Sequence, residues 1–202
     1  MITEWPEFRK MALDLSEDGY IPIFGEFNEQ LEEVVIQCIL LARKKDKDNI
    51  TLLINSNGGF NVIYAAIKSA MIESGIEFTG LVSGKAYSNG FNILQQCNRK
   101  LAVHESLIMF HWGRQYLNNN ELAAIVSGET WPIDNAKREV MYIAEQASDR
   151  SGVPIEKLIE FALYERYFSA EEALRLNFID EIIKDLPQKV KEAVKSKKPG
   201  KK

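Results

Sequence analysis

A chain of 202 residues with 46% hydrophobic and 27% charged side chains, at a formal net charge of −4, can bury one ordinary core. That balance excludes general disorder, a collagen-like fibre and a disulfide-stapled miniprotein. The most apolar stretch, 34–42, is about half of the roughly 20 residues that a membrane span needs, and residues 1–10 hold no signal-peptide core, so a cytoplasmic chain is expected.

In chain order, the run Tyr20-Ile21-Pro22-Ile23-Phe24 before Gly25 predicts a first strand. Asn28 then caps a helix whose apolar residues Leu31, Val34, Val35, Cys38, Leu41 and Ala42 keep the 3.6-residue period. Residues 49–55 are almost continuously apolar, as in a strand covered on both faces, and the run Ser56-Asn57-Gly58-Gly59 predicts a turn into a helix over 62–74. A third strand over 78–84 ends at Gly84, and Ser88 opens the next helix, toward Asn98. Two short strands follow over 101–103 and 106–111. This alternation predicts an α/β fold with a mostly parallel sheet and helices packed on it. The second half predicts a helical extension: helices over 120–126 and 133–148, broken around Gly128 and Pro132, then one from Pro154 to about Ala162. Ser169 and Glu172 form a capping box for a helix that stops at Asn177, and 178–183 reads as a closing strand. The last segment, 189–202, has seven lysines against the single acid Glu192 and reads as a basic, disordered tail behind a domain over 1–188. The rest of the chain is net acidic and lacks the basic face of a nucleic-acid binder. Cys38 and Cys97 lie in apolar or helical runs without partners at ligand spacing, so buried reduced thiols are expected and no metal or other cofactor is called for.

Three features carry candidate chemistry. The glycine pair Gly58-Gly59 lets backbone N–H groups approach an oxyanion, although taken alone a tight strand-to-helix turn explains it better. Ser88 sits where a strand becomes a helix, so the helix N-terminus favours negative charge near its hydroxyl and the N–H of Asn89 is free to donate; an ordinary N-cap serine is the competing explanation. His111 ends a strand and suits a general base if an acid orients it, while a purely structural histidine remains open. His104 is given no role.

Taken in order and spacing, Asn55-Ser56-Asn57-Gly58-Gly59, Ala86-Tyr87-Ser88-Asn89-Gly90, Ile108-Met109-Phe110-His111 and Phe168-Ser169-Ala170-Glu171-Glu172-Ala173 resemble the proteolytic subunits of the Clp protease family, from about Ile21 to Ile183. The resemblance implies a crotonase-like ββα spiral and a serine endopeptidase working in a chamber of stacked, heptameric rings of its own copies. It also implies an AAA+ ATPase that unfolds and feeds in protein substrates. By position, Ser88 is implied as nucleophile, His111 as general base, Glu165 as the third triad member, and the N–H groups of Gly59 and Asn89 as the oxyanion hole. The family usually has aspartate where this chain has Glu165. It also has a glycine-rich docking strand where this chain has the polar, glycine-free segment 114–120, and an Asp-Arg pair where this chain has Leu163-Tyr164.

Three alternatives compete. A non-catalytic ring subunit would need neither Ser88 nor His111. A crotonase-type acyl-CoA enzyme would share the spiral and the Gly-Gly loop but act through carboxylates. A Ser-Lys dyad would enlist Lys85, three residues before Ser88.

Overall fold

The computed structural model describes residues 5–113 and 117–195, with the backbone alone for 193–195. The elements are α1 (Trp5–Glu17), β1 (Tyr20–Phe27), α2 (Glu29–Lys44), β2 (Asn49–Gly59), α3 (Asn61–Ser74), β3 (Glu77–Tyr87), α4 (Asn89–Gln96), β4 (Arg99–Val103) and β5 (Leu107–Phe110). They continue with α5 (Asn119–Val126), α6 (Trp131–Ser151), α7 (Ile155–Leu163), β6 (Arg166–Ser169), α8 (Ala170–Arg175), β7 (Glu181–Ile183) and α9 (Gln188–Lys195).

Strands β1, β2, β3, β4 and β7 lie side by side in that order, all parallel. Strand β3 is long enough to serve two neighbours: Thr79 to Val82 pair with β4, whereas Lys85 to Tyr87 pair with β5. The sheet therefore forks along β3. The branch is completed by β6, whose pairing with β5 is the antiparallel one. This is the expected mixed α/β architecture with a mostly parallel sheet.

Local signals account for several boundaries. The Asn28 side chain accepts from Leu31 N–H at 3.0 Å and starts α2. Ser169 and Glu172 form the reciprocal capping box of α8, and Asn177 takes the left-handed conformation just past its end. The main core gathers residues such as Ile21, Ile54, Val82, Phe91 and Phe110 between the sheet and helices α2, α3, α4, α6 and α7.

Beyond the extension of β3 past Gly84 to Tyr87, four features differ from the sequence reading. First, β2 does not stop at Asn55. It runs on to Gly59, so the Gly-Gly pair is strand, not turn; the register slips between Gly25 and Glu26 against β1, and between Ile54 and Ser56 against β3. The buried Ser56 hydroxyl holds this irregularity, donating to Gly25 O at 2.6 Å and accepting from Gly58 N–H at 3.0 Å. Second, α1 was not foreseen. Its Ala12 and Leu15 are buried, with Phe8 and Met11 packed beside them, a helical spacing hidden in a polar context. Third, residues 188–195 are helical, against a tail disordered from 189. Val190 of α9 is 1% exposed and packs with Leu15, Leu53 and Leu81, and Lys189 pairs with Asp18. The helices that cover the second face of β2 and β3 are therefore α1 and α9. Fourth, β6 is a strand where none was expected. Residues 114–116, the start of the polar segment set against the family's docking strand, and the tail beyond 195 lie outside the described residues.

Among the described residues, no helix is long and apolar enough to cross a membrane, and no group of three His, Cys, Asp or Glu side chains could hold a metal ion. Both cysteines are buried and free, and burial pushes their thiols up to about 11 for Cys38 and about 12 for Cys97.

Candidate active site

The forked branch of the sheet delivers three side chains to one edge. Tyr87 at the end of β3 pairs with Met109 of β5, and Phe110 of β5 pairs with Arg166 of β6. The next residue along β3 is Ser88, the next along β5 is His111, and the one preceding β6 is Glu165. Strand register alone thus brings together residues 23 and 54 positions apart in sequence. A chain of aromatic contacts lies under this edge. Phe91 of α4 meets Phe110 at 5.3 Å and Phe178 at 5.0 Å, and Phe168 of β6 meets Phe178 at 5.3 Å and Phe161 of α7 at 5.0 Å. These tilted and edge-to-face pairs lock α4, β5 and β6 to one another.

Ser88 has φ 52° and ψ −119°, a conformation that costs a side-chain-bearing residue on the order of 1–3 kcal/mol. Its backbone is tied on both sides: its N–H donates to Met109 O at 3.0 Å, and its carbonyl accepts from Asn92 N–H at 3.0 Å. As the N-cap residue of α4 it makes no side-chain capping bond, and among the described residues its hydroxyl enters no hydrogen bond. An ordinary N-cap serine would spend its oxygen on the helix, so that explanation of Ser88 falls away.

Just past the end of the neighbouring strand β5, the carboxylate of Glu165 lies 3.2 Å from His111 Nδ1, and no hydrogen bond joins His111 to Ser88. A carboxylate can only accept, which assigns the proton to Nδ1 and leaves Nε2 as the basic nitrogen. The imidazole is 17% exposed and the Glu165 side chain 63%. Glu165 itself sits at φ 47°, the left-handed hinge between α7 and β6. The acid implied by the resemblance therefore does reach the histidine, from a residue in the left-handed conformation.

The glycine pair abuts the serine. A Cβ on Gly58 would stand 2.6 Å from Ser88 Cβ and 2.8 Å from Asn89 N, at a φ of 85°. A Cβ on Gly59, at φ 149°, would stand 2.6 Å from Phe27 O. Only glycine fits either place. Asn89 is buried at the first turn of α4, its side chain donating to Gly59 O at 2.8 Å. The end of β2 and the start of α4 thus face each other across Ser88.

The other candidates separate from this site. The Lys85 ammonium lies over the Tyr87 ring, 5.8 Å from its centroid, an engagement that a Ser-Lys dyad does not use. His104 pairs with Glu171 at 2.9 Å and with Glu105 at 3.4 Å, away from the cluster. What the sequence reading missed is β6, and the Asn89 side chain, for which only the backbone N–H had been considered.

The Clp protease family matches the chain over residues 6–186. The ATP-dependent Clp protease proteolytic subunit 2 of Thermobifida fusca (strain YX) is 26% identical over 191 residues, covering 90% of this chain and 89% of its own. The subunits of the same name from Chlamydia pneumoniae and Chlamydia abortus (strain DSM 27085 / S26/3) are each 26% identical over 176 residues, covering 84% of this chain and 82% of their own. The chain belongs to the Clp protease family, and its mixed α/β fold with a mostly parallel sheet is that family's fold.

Proposed function

We propose that this member of the Clp protease family is a serine endopeptidase that hydrolyses peptide bonds of unfolded proteins or peptides, with Ser88, His111 and Glu165 as its triad. The observation that carries the reading is the 3.2 Å contact of His111 Nδ1 with the Glu165 carboxylate, on a histidine that follows the strand paired with the one leading into Ser88.

From that arrangement the chemistry follows stepwise. His111 Nε2 takes the proton from Ser88 Oγ as the oxygen attacks the scissile carbonyl carbon. The carbonyl π-pair moves onto oxygen, and the resulting oxyanion is met by the N–H groups of Gly59 and Asn89. Collapse of the tetrahedral adduct breaks the C–N bond, and the leaving amine takes the proton from His111. The acyl group stays on Ser88. Water then repeats the sequence, giving its proton to His111, and the free acid leaves with Ser88 Oγ protonated again. Throughout, Glu165 holds the imidazole in the productive tautomer and stabilises its cation.

A ring of identical subunits, heptameric by the family's pattern, would enclose this site and receive chains unfolded by an AAA+ ATPase in the cytoplasm. The exposed apolar side chains of α5 and α6 (Leu122, Val126, Trp131, Ile133 and Tyr142) support self-association, since monomeric surfaces seldom carry such a run.

Intact-mass analysis after treatment with a fluorophosphonate tests the reading, on assembled wild type and Ser88→Ala in parallel. One adduct on wild type alone is expected. A second reading, a non-catalytic ring subunit, draws support from the solvent-washed position of Glu165; absence of an adduct on assembled wild type would select it.

A further inference from the structure

Three asparagine amides and one glutamate form one network, its donors running from Asn92 through Asn89 and Asn61 to Glu139, with a branch from Asn89 onto Gly59 O at the end of β2. Asn61 Nδ2 donates to Glu139 Oε1 of α6 at 2.8 Å. With its nitrogen committed to a carboxylate, the Asn61 amide turns its oxygen to Asn89, whose Nδ2 donates to it at 2.9 Å and to Gly59 O at 2.8 Å. Asn92 Nδ2 donates to Asn89 Oδ1 at 2.8 Å. Both hydrogens of the Asn89 amide and one lone pair of its oxygen are therefore engaged, so the amide has one orientation only. Asn89 is 1% exposed and Asn92 8%, so neither has water as a substitute partner.

The branch reaches Gly59, which stands in register with Phe27 of β1 at a φ of 149° that glycine alone adopts readily. Phe60 N–H donates to Phe27 O at 3.0 Å, which ties the chain after Gly59 to β1. The Gly59 carbonyl instead faces α4, where Asn89 takes it. In extended backbone the N–H and C=O of one residue project to the same edge, so holding this carbonyl aims the Gly59 N–H toward the Ser88 side as well.

We infer that the Asn89 side chain, oriented by Asn61 and Asn92 and anchored by Glu139, is a positioning residue that sets the direction of the Gly59 N–H for the developing oxyanion. The inference rests on the Ser88 peptidase reading. It assigns to Asn89 two separate tasks, a backbone N–H that meets the oxyanion and a side chain that aims the other donor. It also makes α6 part of the machinery that holds the oxyanion loop, through a carboxylate outside the triad.

The test compares assembled wild type with Asn89→Asp and with Asn61→Ala. Aspartate is isosteric but turns an oxygen toward Gly59 O and Asn61 Oδ1, and Asn61 is exposed, so its alanine variant leaves the core intact. The readouts are kcat and KM on a fluorogenic peptide amide, affinity for a peptide aldehyde that forms a tetrahedral adduct, and the thermal midpoint. Asn89→Asp should lower kcat about 100-fold, and Asn61→Ala about tenfold, with KM within about twofold of wild type. Aldehyde affinity should fall by the same factor as kcat/KM, and the midpoint of Asn61→Ala should drop by only about 2–4 °C, the effect of one unpaired amide hydrogen. If Asn89→Asp does not fold, Asn61→Ala decides alone. A kcat for Asn61→Ala within twofold of wild type, or a kcat loss without matching loss of aldehyde affinity, overturns the inference and leaves the peptidase reading standing. A wild type that neither hydrolyses the peptide nor takes a fluorophosphonate overturns both.

Discussion

The two halves of the candidate site are built to different standards. On one side, Asn89 and Gly58 are buried and Ser88 half-buried, tied by backbone and amide hydrogen bonds, and so closely packed that a single added carbon on Gly58 would collide with Ser88. On the other, Glu165 reaches His111 from a surface hinge with most of its side chain in water. The contrast follows from what each half must do. An oxyanion donor works by being pre-aimed, because reorganisation during the reaction would cancel its advantage. A carboxylate that orients an imidazole needs only to hold one hydrogen bond, and water can replace part of its electrostatic contribution.

This comparison can be broken by substitutions, and the expected effects descend in order. Ser88→Ala removes the proposed nucleophile and should lower kcat on a peptide substrate by on the order of 10⁴-fold or more, with the fold intact by circular dichroism. Gly58→Ala tests the packed half: the new Cβ must displace Ser88 or the Asn89 N–H, and kcat should fall about 100-fold while the chain still folds. Glu165→Gln tests the loose half and should cost less, roughly tenfold to 30-fold, since an exposed carboxylate contributes less than a buried one. A loss for Glu165→Gln as large as that for Ser88→Ala would show that the acid is desolvated in the assembly and that the two halves are equals.

Smaller effects sharpen the contrast. Val190→Ala, far from the edge of the fork, should lower stability by about 2 kcal/mol in denaturant titration while leaving kcat unchanged, because it loosens only the α9 cover. The thiols provide the smallest response. Burial raises both above their ordinary value, to about 11 for Cys38 and about 12 for Cys97, so at pH 8 less than about 1% of either is thiolate. Raising the pH toward those values increases the thiolate fraction tenfold per unit. At pH 8 the folded chain should therefore resist a disulfide reagent, and rapid labelling of either cysteine would show that the core opens.

Much of the site was legible before any coordinates, for a definite reason. Glycines at positions 58 and 59, a serine at a strand-to-helix junction and a histidine at a strand end are local features, each written within a few residues. The apolar runs of β2 and β3 and the cap at Asn28 were legible in the same way, because strand burial and helix capping depend on neighbouring positions. The Ser169 capping box belongs with them. By contrast, α1 and α9 are polar sequences whose few apolar residues count only because the second face of β2 and β3 needs a cover, and β6 is too short to announce itself.

The sequence by itself determined the alternation of strands and helices and the buried state of the two cysteines, while the roles of Ser88, His111 and Glu165 as a set were implied only by the family resemblance. The tertiary structure decided what those residues are to one another. The fork of β3 and the register of β5 on β6 set the 3.2 Å contact between His111 and Glu165, which no spacing along the chain encodes. It also turned Gly58 and Gly59 from a turn into the end of a strand, and made the Asn89 side chain a partner of their backbone. Hydrogen bonds and collisions act over about 3 Å in space, whatever the separation along the chain, so pairings between elements are decided by how the sheet folds rather than by any one segment.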